Sequence, residues 1–252
     1  MPGSINKLKI ATFTLFALVC LSLLVTLGIW QLNRLHWKLQ LIRDVNARVA
    51  ADPVPAAGPD QWAALDRDQS EYLPVTVSGT YNNDREVHVW FPLNEPRGGD
   101  YRGPGYFILT PLTTPQGWTV IINRGFVPEA MKSLDARPET RVTGEQSLTG
   151  LMRFDEPEHW NSAQPDKEKN VWIGRQVSEM ADFMLLDHDS TAPYWIDLTA
   201  GQGVNGLPQG GETRISFRNA HLSYALTWFG LALALTAVYG VWLSRTIKAA
   251  RT

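Results

Sequence analysis

Two uncharged apolar runs, one near each end of the chain, constrain it more than any other feature. Ile10–Ile29 holds no charged residue and is rich in Leu, Val and Phe; Leu222–Leu243 has the same character over a similar length. In a helix, about 20 residues cover roughly the 30 Å hydrocarbon core of a bilayer. Trp30 and Trp37 flank the first run, Tyr224 and Trp228 open the second, and Tyr239 and Trp242 close it. Amphipathic rings in those places fit the interfacial belts of membrane proteins.

Charge is sorted around these runs. All 25 Asp and Glu lie within residues 44–212, whereas five of the 23 Lys and Arg (Lys7, Lys9, Arg245, Lys248, Arg251) lie at the ends, so the middle carries a formal −7 and the tails +5. A simple soluble enzyme does not segregate charge in this way. The first run exceeds the ~7–15 apolar residues of a cleaved signal peptide, and no small-x-small cleavage site precedes the polar chain. A lipoprotein anchor fails as well, since Cys20 follows Leu18 and Val19 inside a run that continues past it. Both runs are therefore expected to stay as anchors, with orientation set by the short tails because the long connection carries no vote. Both termini are expected in the cytoplasm and the middle is expected to be exported, although Arg34, Lys38 and Arg43 lie on the side that the rule disfavours. No Arg- and Ser-rich transit segment precedes the first run, which points to a bacterial inner membrane rather than a mitochondrial one.

The expected organisation is a cytoplasmic tail over 1–9, a transmembrane helix over 10–30, an exported domain over 31–220, a second transmembrane helix over 221–243 and a cytoplasmic tail over 244–252. Leu35, Leu39, Ile42 and Val49 recur at helical steps, so a stalk over 31–51 is expected before Pro53 and Pro55. Asp52 to Pro59 reads as a linker. Period-two runs follow at Tyr72–Tyr81, Glu86–Phe91, Tyr106–Leu112, Trp118–Asn123, Ser147–Phe154, Asn170–Gly174 and Tyr194–Leu198, with turn residues between them. Val177, Met180, Ala181, Met184 and Leu185 mark one short amphipathic helix. The fold class expected is an α+β membrane protein, two transmembrane helices flanking a β-rich exported domain that is a sandwich or partial barrel. The one Cys lies in the first apolar run, so this domain holds no disulfide and must be stable through its own core.

Several apparent motifs carry no chemistry. Gly201-Gln-Gly203-Val-Asn-Gly206 spells the dinucleotide fingerprint, but Pro208 and two further glycines follow where that fingerprint needs a helix to start. Asp187-His188-Asp189 lacks the further ligands that a metal would need, and Asp155-Glu156-Pro-Glu158-His159 has the composition of a solvated loop. The exported region has no Cys and only scattered Met, which disfavours soft-metal delivery. No nucleophile and base pair stands out, so no enzyme is expected; nor is a nucleic-acid partner.

The re-entry point is different. His221 is the last ionisable residue before the second apolar run, Arg214 and Arg218 precede it by seven and four residues, and Tyr224 and Trp228 follow at three and seven. An imidazole to ligate iron, guanidinium groups for propionates and an aromatic apolar wall are what a haem at a membrane interface requires. Residues of the same types also serve as ordinary interfacial anchors. A second basic-aromatic cluster, Trp30, Arg34, His36 and Trp37, leaves the first helix; His36 is the candidate second ligand there, but about 9 Å beyond Trp30 along a helix it reads rather as a surface histidine.

Three separated segments carry a family resemblance. Leu27-Gly28-Ile-Trp30-Gln31-Leu32-x-Arg34-Leu35-x-Trp37-Lys38, Asn123-Arg124-Gly125-Phe126-Val127-Pro128, and the block from Gly-Gly-x-Thr-Arg214 to Asn219-x-His221-Leu-x-Tyr224-Ala-x-Thr-Trp228 resemble, in this order, the Surfeit locus protein 1 family. Phe126 stands where that family often has Trp. The resemblance implies a cytochrome c oxidase assembly factor acting on subunit I while haem a is installed, with haem a synthase a further candidate partner and membrane lipid around both helices. It implies a haem a ligand, and so a metal-binding role, at His221. Arg214, Arg218, Tyr224, Trp228, Arg34 and Trp30 are the cofactor-contacting candidates beside it. Arg124 reads as a local packing residue in a tight turn after a strand, with Gly125 supplying the unusual backbone angle; contact with oxidase subunits or a propionate is the functional alternative. The rival reading is a scaffold that stabilises oxidase subunits and never touches haem.

Overall fold

The computed structural model describes residues 7–155, 163–215, 217 and 219–249. Two compact units emerge, residues 45–215 and a helical unit made from the two ends of the chain, 1–44 with 216–252. Arg218, and Glu156, Glu158 and His159 of the acidic loop, lie outside the described residues.

The helical unit holds the two apolar runs as helices long and apolar enough to cross a membrane. Helix α1 spans Lys7–Val49, a length of about 65 Å. That is roughly twice a hydrocarbon core, so its second half extends beyond any single crossing. The closing helix, which becomes α5 in the order below, spans His221–Ala249. The two run antiparallel, as their contacts show: Phe13 packs on Trp242 with ring centroids 5.3 Å apart, Thr14 Oγ1 lies 2.5 Å from the Tyr239 hydroxyl, and Gly28 faces the Phe229 ring. Ala225 and Ala232, seven residues apart, are the buried residues of α5. Small residues at such a seam let two helices approach closely where no hydrophobic effect drives them together.

The other unit is built on seven strands: β1 (Val54–Pro55), β2 (Pro74–Tyr81), β3 (Val87–Leu93), β4 (Gly103–Thr113), β5 (Thr119–Pro128), β6 (Glu145–Arg153) and β7 (Thr191–Leu198). Two single-turn helices, α2 (Pro59–Trp62) and α3 (Arg67–Ser70), precede β2, and α4 (Val177–Phe183) precedes β7. Strand order is β1-β2-β6-β7-β5-β4-β3, and a further pairing of β2 with β4 closes β2, β6, β7, β5 and β4 into a five-stranded barrel. The expected sandwich or partial barrel is thus corrected to a closed one. Closure rests on the length of β4, whose one edge serves β3 over Gly103–Leu109 and β2 at Leu112 and Thr113. Within the ring only β5 and β7 run parallel.

Alternation along the strands divides the apolar residues between two faces. Val75, Val77, Leu112, Val120, Ile122, Leu148 and Ile196, from all five ring strands, fill one core, so the barrel interior is solid. The linker caps that core, because the Tyr194 hydroxyl donates to Ala57 O at 2.6 Å. On the other face Val87, Phe107, Ile121 and Trp195 pack against Trp172 and, from α4, Met180.

Two expectations need correcting. Asn170–Gly174 is not a strand: Trp172 makes a lone bridge to Val89, and Val171 closes back on Asp166. Its apolar alternation comes from Trp172 filling the outer core beside Phe183, at a ring-centroid distance of 5.5 Å. The Asn123-Arg124-Gly125 segment is not a turn after a strand but a bulge within β5, where Leu109 pairs with Asn123, Ile108 pairs with Gly125 and Arg124 is skipped. Gly125 takes φ +124° there, a conformation open mainly to glycine. The Gly201–Gly206 segment forms turns and starts no helix.

Candidate functional site

In the helical unit, His221 opens α5 and meets Gln31 of α1. Its Nδ1 lies 2.8 Å from Gln31 Oε1, across 190 residues of sequence. Gln31 is buried and polar where the apolar run of α1 ends, and such a group requires a hydrogen-bond partner. An amide oxygen only accepts, so the contact calls for a proton on Nδ1, and a neutral ring in that tautomer has its lone pair on Nε2. Among the described residues nothing hydrogen-bonds Nε2. One ring nitrogen is thus held by a polar neighbour, an arrangement chemically compatible with metal ligation by the other.

The remaining candidates fall in different places. Ala225 is buried and Trp228 half-buried on the side of α5 that carries His221. Tyr224 is 53% exposed and Trp30 54% exposed, both off the helix seam. Arg34 is exposed, its guanidinium carbon 4.1 Å above the Trp37 ring. That cation-π contact orients the guanidinium without using its hydrogen-bond donors. His36 is exposed as well.

Arg214 belongs to the barrel unit. Its Nη2 donates to Glu95 O at 3.3 Å, and its guanidinium lies 5.6 Å from the Phe91 ring centroid. It lines a cavity of about 250 Å³ together with Arg153, Arg175, Asp197, Glu212 and an aromatic wall. Arg153 bridges two carboxylates, with Nε 2.7 Å from Glu71 Oε1 and Nη1 2.9 Å from Asp197 Oδ2. Burial alone would push the Asp197 carboxyl up, but the Arg153 and Arg175 guanidiniums, with hydrogen bonds from Asn123 and Thr213, hold it below the usual carboxylate range.

Arg124 is buried on local partners. It donates to Asn83 Oδ1 at 3.2 Å and Thr140 O at 2.6 Å, and it lies over the Tyr81 ring. Burial pulls its pKa down and pushes the Tyr81 phenol up. His188 pairs with Asp182 at 2.7 Å, and among the described residues no three His, Cys, Asp or Glu are grouped as a metal site. Sequence reasoning missed Gln31 as a partner of His221 and missed Arg153, Arg175 and Asp197 altogether. Gln31 did offer a signal, an amide at the end of the apolar run three residues after Gly28, but nothing in the sequence pointed to its partner.

Comparison with known proteins finds one family. The SURF1 family profile matches residues 18–233. Surfeit locus protein 1 of Homo sapiens is 34% identical over 84% of this chain and 71% of its own length. The protein of that name from Takifugu rubripes is 29% identical over 88% of this chain and 92% of its own. A SURF1-like protein of Drosophila melanogaster is 32% identical over 96% of this chain and 80% of its own.

Proposed function

The chain belongs to the SURF1 family, and from that premise we propose that it is a non-catalytic assembly factor for cytochrome c oxidase, holding haem a for insertion into subunit I. The reading places it in a bacterial inner membrane with both termini cytoplasmic and the barrel exported. Subunit I is the recipient, and haem a synthase the candidate source.

One observation carries the haem part of this reading, the hydrogen bond between Gln31 and His221. Haem a, if bound, would supply iron that takes an imidazole nitrogen as ligand, and His221 is the residue that would hold it. Gln31 fixes the orientation and tautomer of the ring, and His221 presents Nε2. Half-buried Trp228 gives that side of α5 an apolar surface, while Arg34 offers guanidinium donors to a propionate carboxylate. A carrier has to release its cargo, and one imidazole ligand, without a second strong axial partner, is compatible with release.

The test is the absorption spectrum of the full-length protein, purified in detergent from membranes of cells making haem a, beside His221→Ala. Bound haem a in the parent protein and its loss from a folded His221→Ala protein is the expected result. A folded parent protein that carries no haem under the same supply would overturn the carrier reading in favour of the scaffold.

A further inference from the structure

We propose that a gap in the barrel wall, at the free edge of β2, docks another polypeptide: a short extended stretch with a basic side chain between two apolar ones. On one side β6 pairs with β2 from Pro74 to Thr80. The other side is divided between two strands that do not meet. β1 pairs with Val75 and Thr76, β4 pairs with Thr80 and Tyr81, and among the described residues no strand pairs with Val77 or Ser78 there. Each neighbour has a local reason to stop. Ala56 N donates to Thr76 O at 2.9 Å, and then Gly58 opens α2 and the chain leaves. On the other flank the Thr114 amide turns to Trp118 O at 2.9 Å, and Pro115, at the register position opposite Ser78, has no N–H to give. Thr76 O faces β1 and Asn82 N faces β4. Ser78 is in phase with both, so its N–H and C=O point into the gap.

The gap opens into a groove of about 440 Å³, lined by apolar Pro55, Pro115 and Trp118 and by polar Ser78, Ser147 and Glu145. Glu145 is the one charged residue of that lining. Its carboxylate is exposed and, among the described residues, makes no ion pair or hydrogen bond. An unpaired peptide unit beside an unpaired carboxylate defines the occupant. A residue laid antiparallel to β2 exchanges both hydrogen bonds with Ser78 alone, whereas a parallel segment needs a longer edge to do so. The side chain of that residue stands on the same face as Ser78 and, one strand further, Ser147. Glu145 lies two residues along β6 on this face, roughly 12 Å away by strand spacing and rise, a span that suits Arg or Lys and no shorter side chain. The residues on either side point the other way, toward Pro55, Pro115 and Trp118, and are therefore apolar. In strand addition of this kind the backbone supplies affinity and alternate side chains supply specificity. The inference concerns the barrel unit alone and is independent of His221 and of haem.

Saturation-transfer NMR of the full-length protein in detergent, with the capped tripeptide acetyl-Val-Arg-Val-amide as probe, tests this. The peptide should bind with Kd below about 1 mM. The same peptide with Glu at its centre, or with the Arg backbone nitrogen methylated, should bind about tenfold more weakly, as expected for loss of a charge-assisted pair or of a strand hydrogen bond. Glu145→Gln should abolish the preference for Arg over Glu and keep the sensitivity to methylation. It is the decisive variant, since an exposed side chain without partners contributes little to folding. Equal binding of the three peptides, no binding of the Arg peptide up to about 10 mM, or an undiminished Arg preference in Glu145→Gln would each overturn the proposal. So would loss of binding in a folded His221→Ala protein. Binding of free arginine amide as tight as that of the peptide would make the occupant a small cation, and peptide affinity that falls as the protein is concentrated would give the edge to a second copy of this chain; either result also overturns it.

Discussion

A single amide decides which nitrogen of His221 is available. Gln31→Ala removes the acceptor for Nδ1–H and frees the ring to rotate and change tautomer, so haem a affinity should fall by about ten- to a hundredfold, the usual effect of losing a partner behind a metal ligand. Gln31→Glu keeps an acceptor at the same reach and should restore most of it, a difference that haem titration of the purified proteins reads directly. In the barrel the decisive residue is Arg153, which neutralises buried Asp197. Removing one partner of a buried pair costs about 3–5 kcal/mol, and Arg153→Gln is expected to do so in urea unfolding. The pH dependence follows from the sign of the Asp197 shift. Its folded-state pKa is held below the unfolded value of about 3.9, so its contribution is full above that value and is lost as pH falls through the depressed one. In Arg153→Gln burial acts with less opposition, the carboxyl rises, and acid should destabilise the variant from a higher pH than the parent protein.

At the scale of elements, two glycines set close approaches. A Cβ at Gly28 would lie 2.7 Å from ring atoms of Phe229. Gly28→Leu should therefore push α1 from α5 and lose haem a as Gln31→Ala does, while the urea transition of the barrel stays unchanged. At Gly125 both the positive φ and the backbone of Gln209 and Gly210 stand in the way of a side chain. Gly125→Ala should cost at least the ~1–3 kcal/mol of a strained backbone position, measured as a fall in barrel stability with the helix pair intact. How legible these elements were varies with the range of the interactions that make them. The alternation of Val75 and Val77, or of Val87 and Val89, is local and marks strands β2 and β3 in the sequence itself. The Val54–Pro55 strand escaped, since two residues in a Pro-rich linker carry no period. Asn170–Gly174 misled because Trp172 owes its burial to the outer core rather than to a ladder. Ring closure depends on Thr80 and Tyr81 meeting Thr113 and Leu112, and the parallel β5–β7 pairing joins strands far apart in sequence; periodicity is blind to both. The same holds for the site. His221 stood out by its place before an apolar helix, whereas Gln31 acquired meaning only from a partner 190 residues away.

For the whole molecule, the charge sorting and the two helices make an argument about sidedness. A middle segment with a formal −7 and tails with +5 match the rule that short cytoplasmic flanks retain Lys and Arg. Against this stand Arg34, Lys38 and Arg43 after the first run, on the opposite flank. They lie on the part of α1 that continues as helix to Val49, and Arg34 is stacked on Trp37, so the tails are expected to prevail. The prediction is tested in a Cys20→Ser background, which removes the one native thiol. A membrane-impermeant maleimide added to intact cells with a permeable outer envelope should label Glu168→Cys, in the middle segment, and should reach Lys248→Cys, in the last turn of α5, only after the inner membrane is opened. Labelling of both positions in intact cells would mean that α5 does not cross, and labelling of Lys248→Cys alone would invert the orientation. Either result would also remove the periplasmic setting assumed for the carrier, because His221 would then meet the membrane on a different side, or not at all.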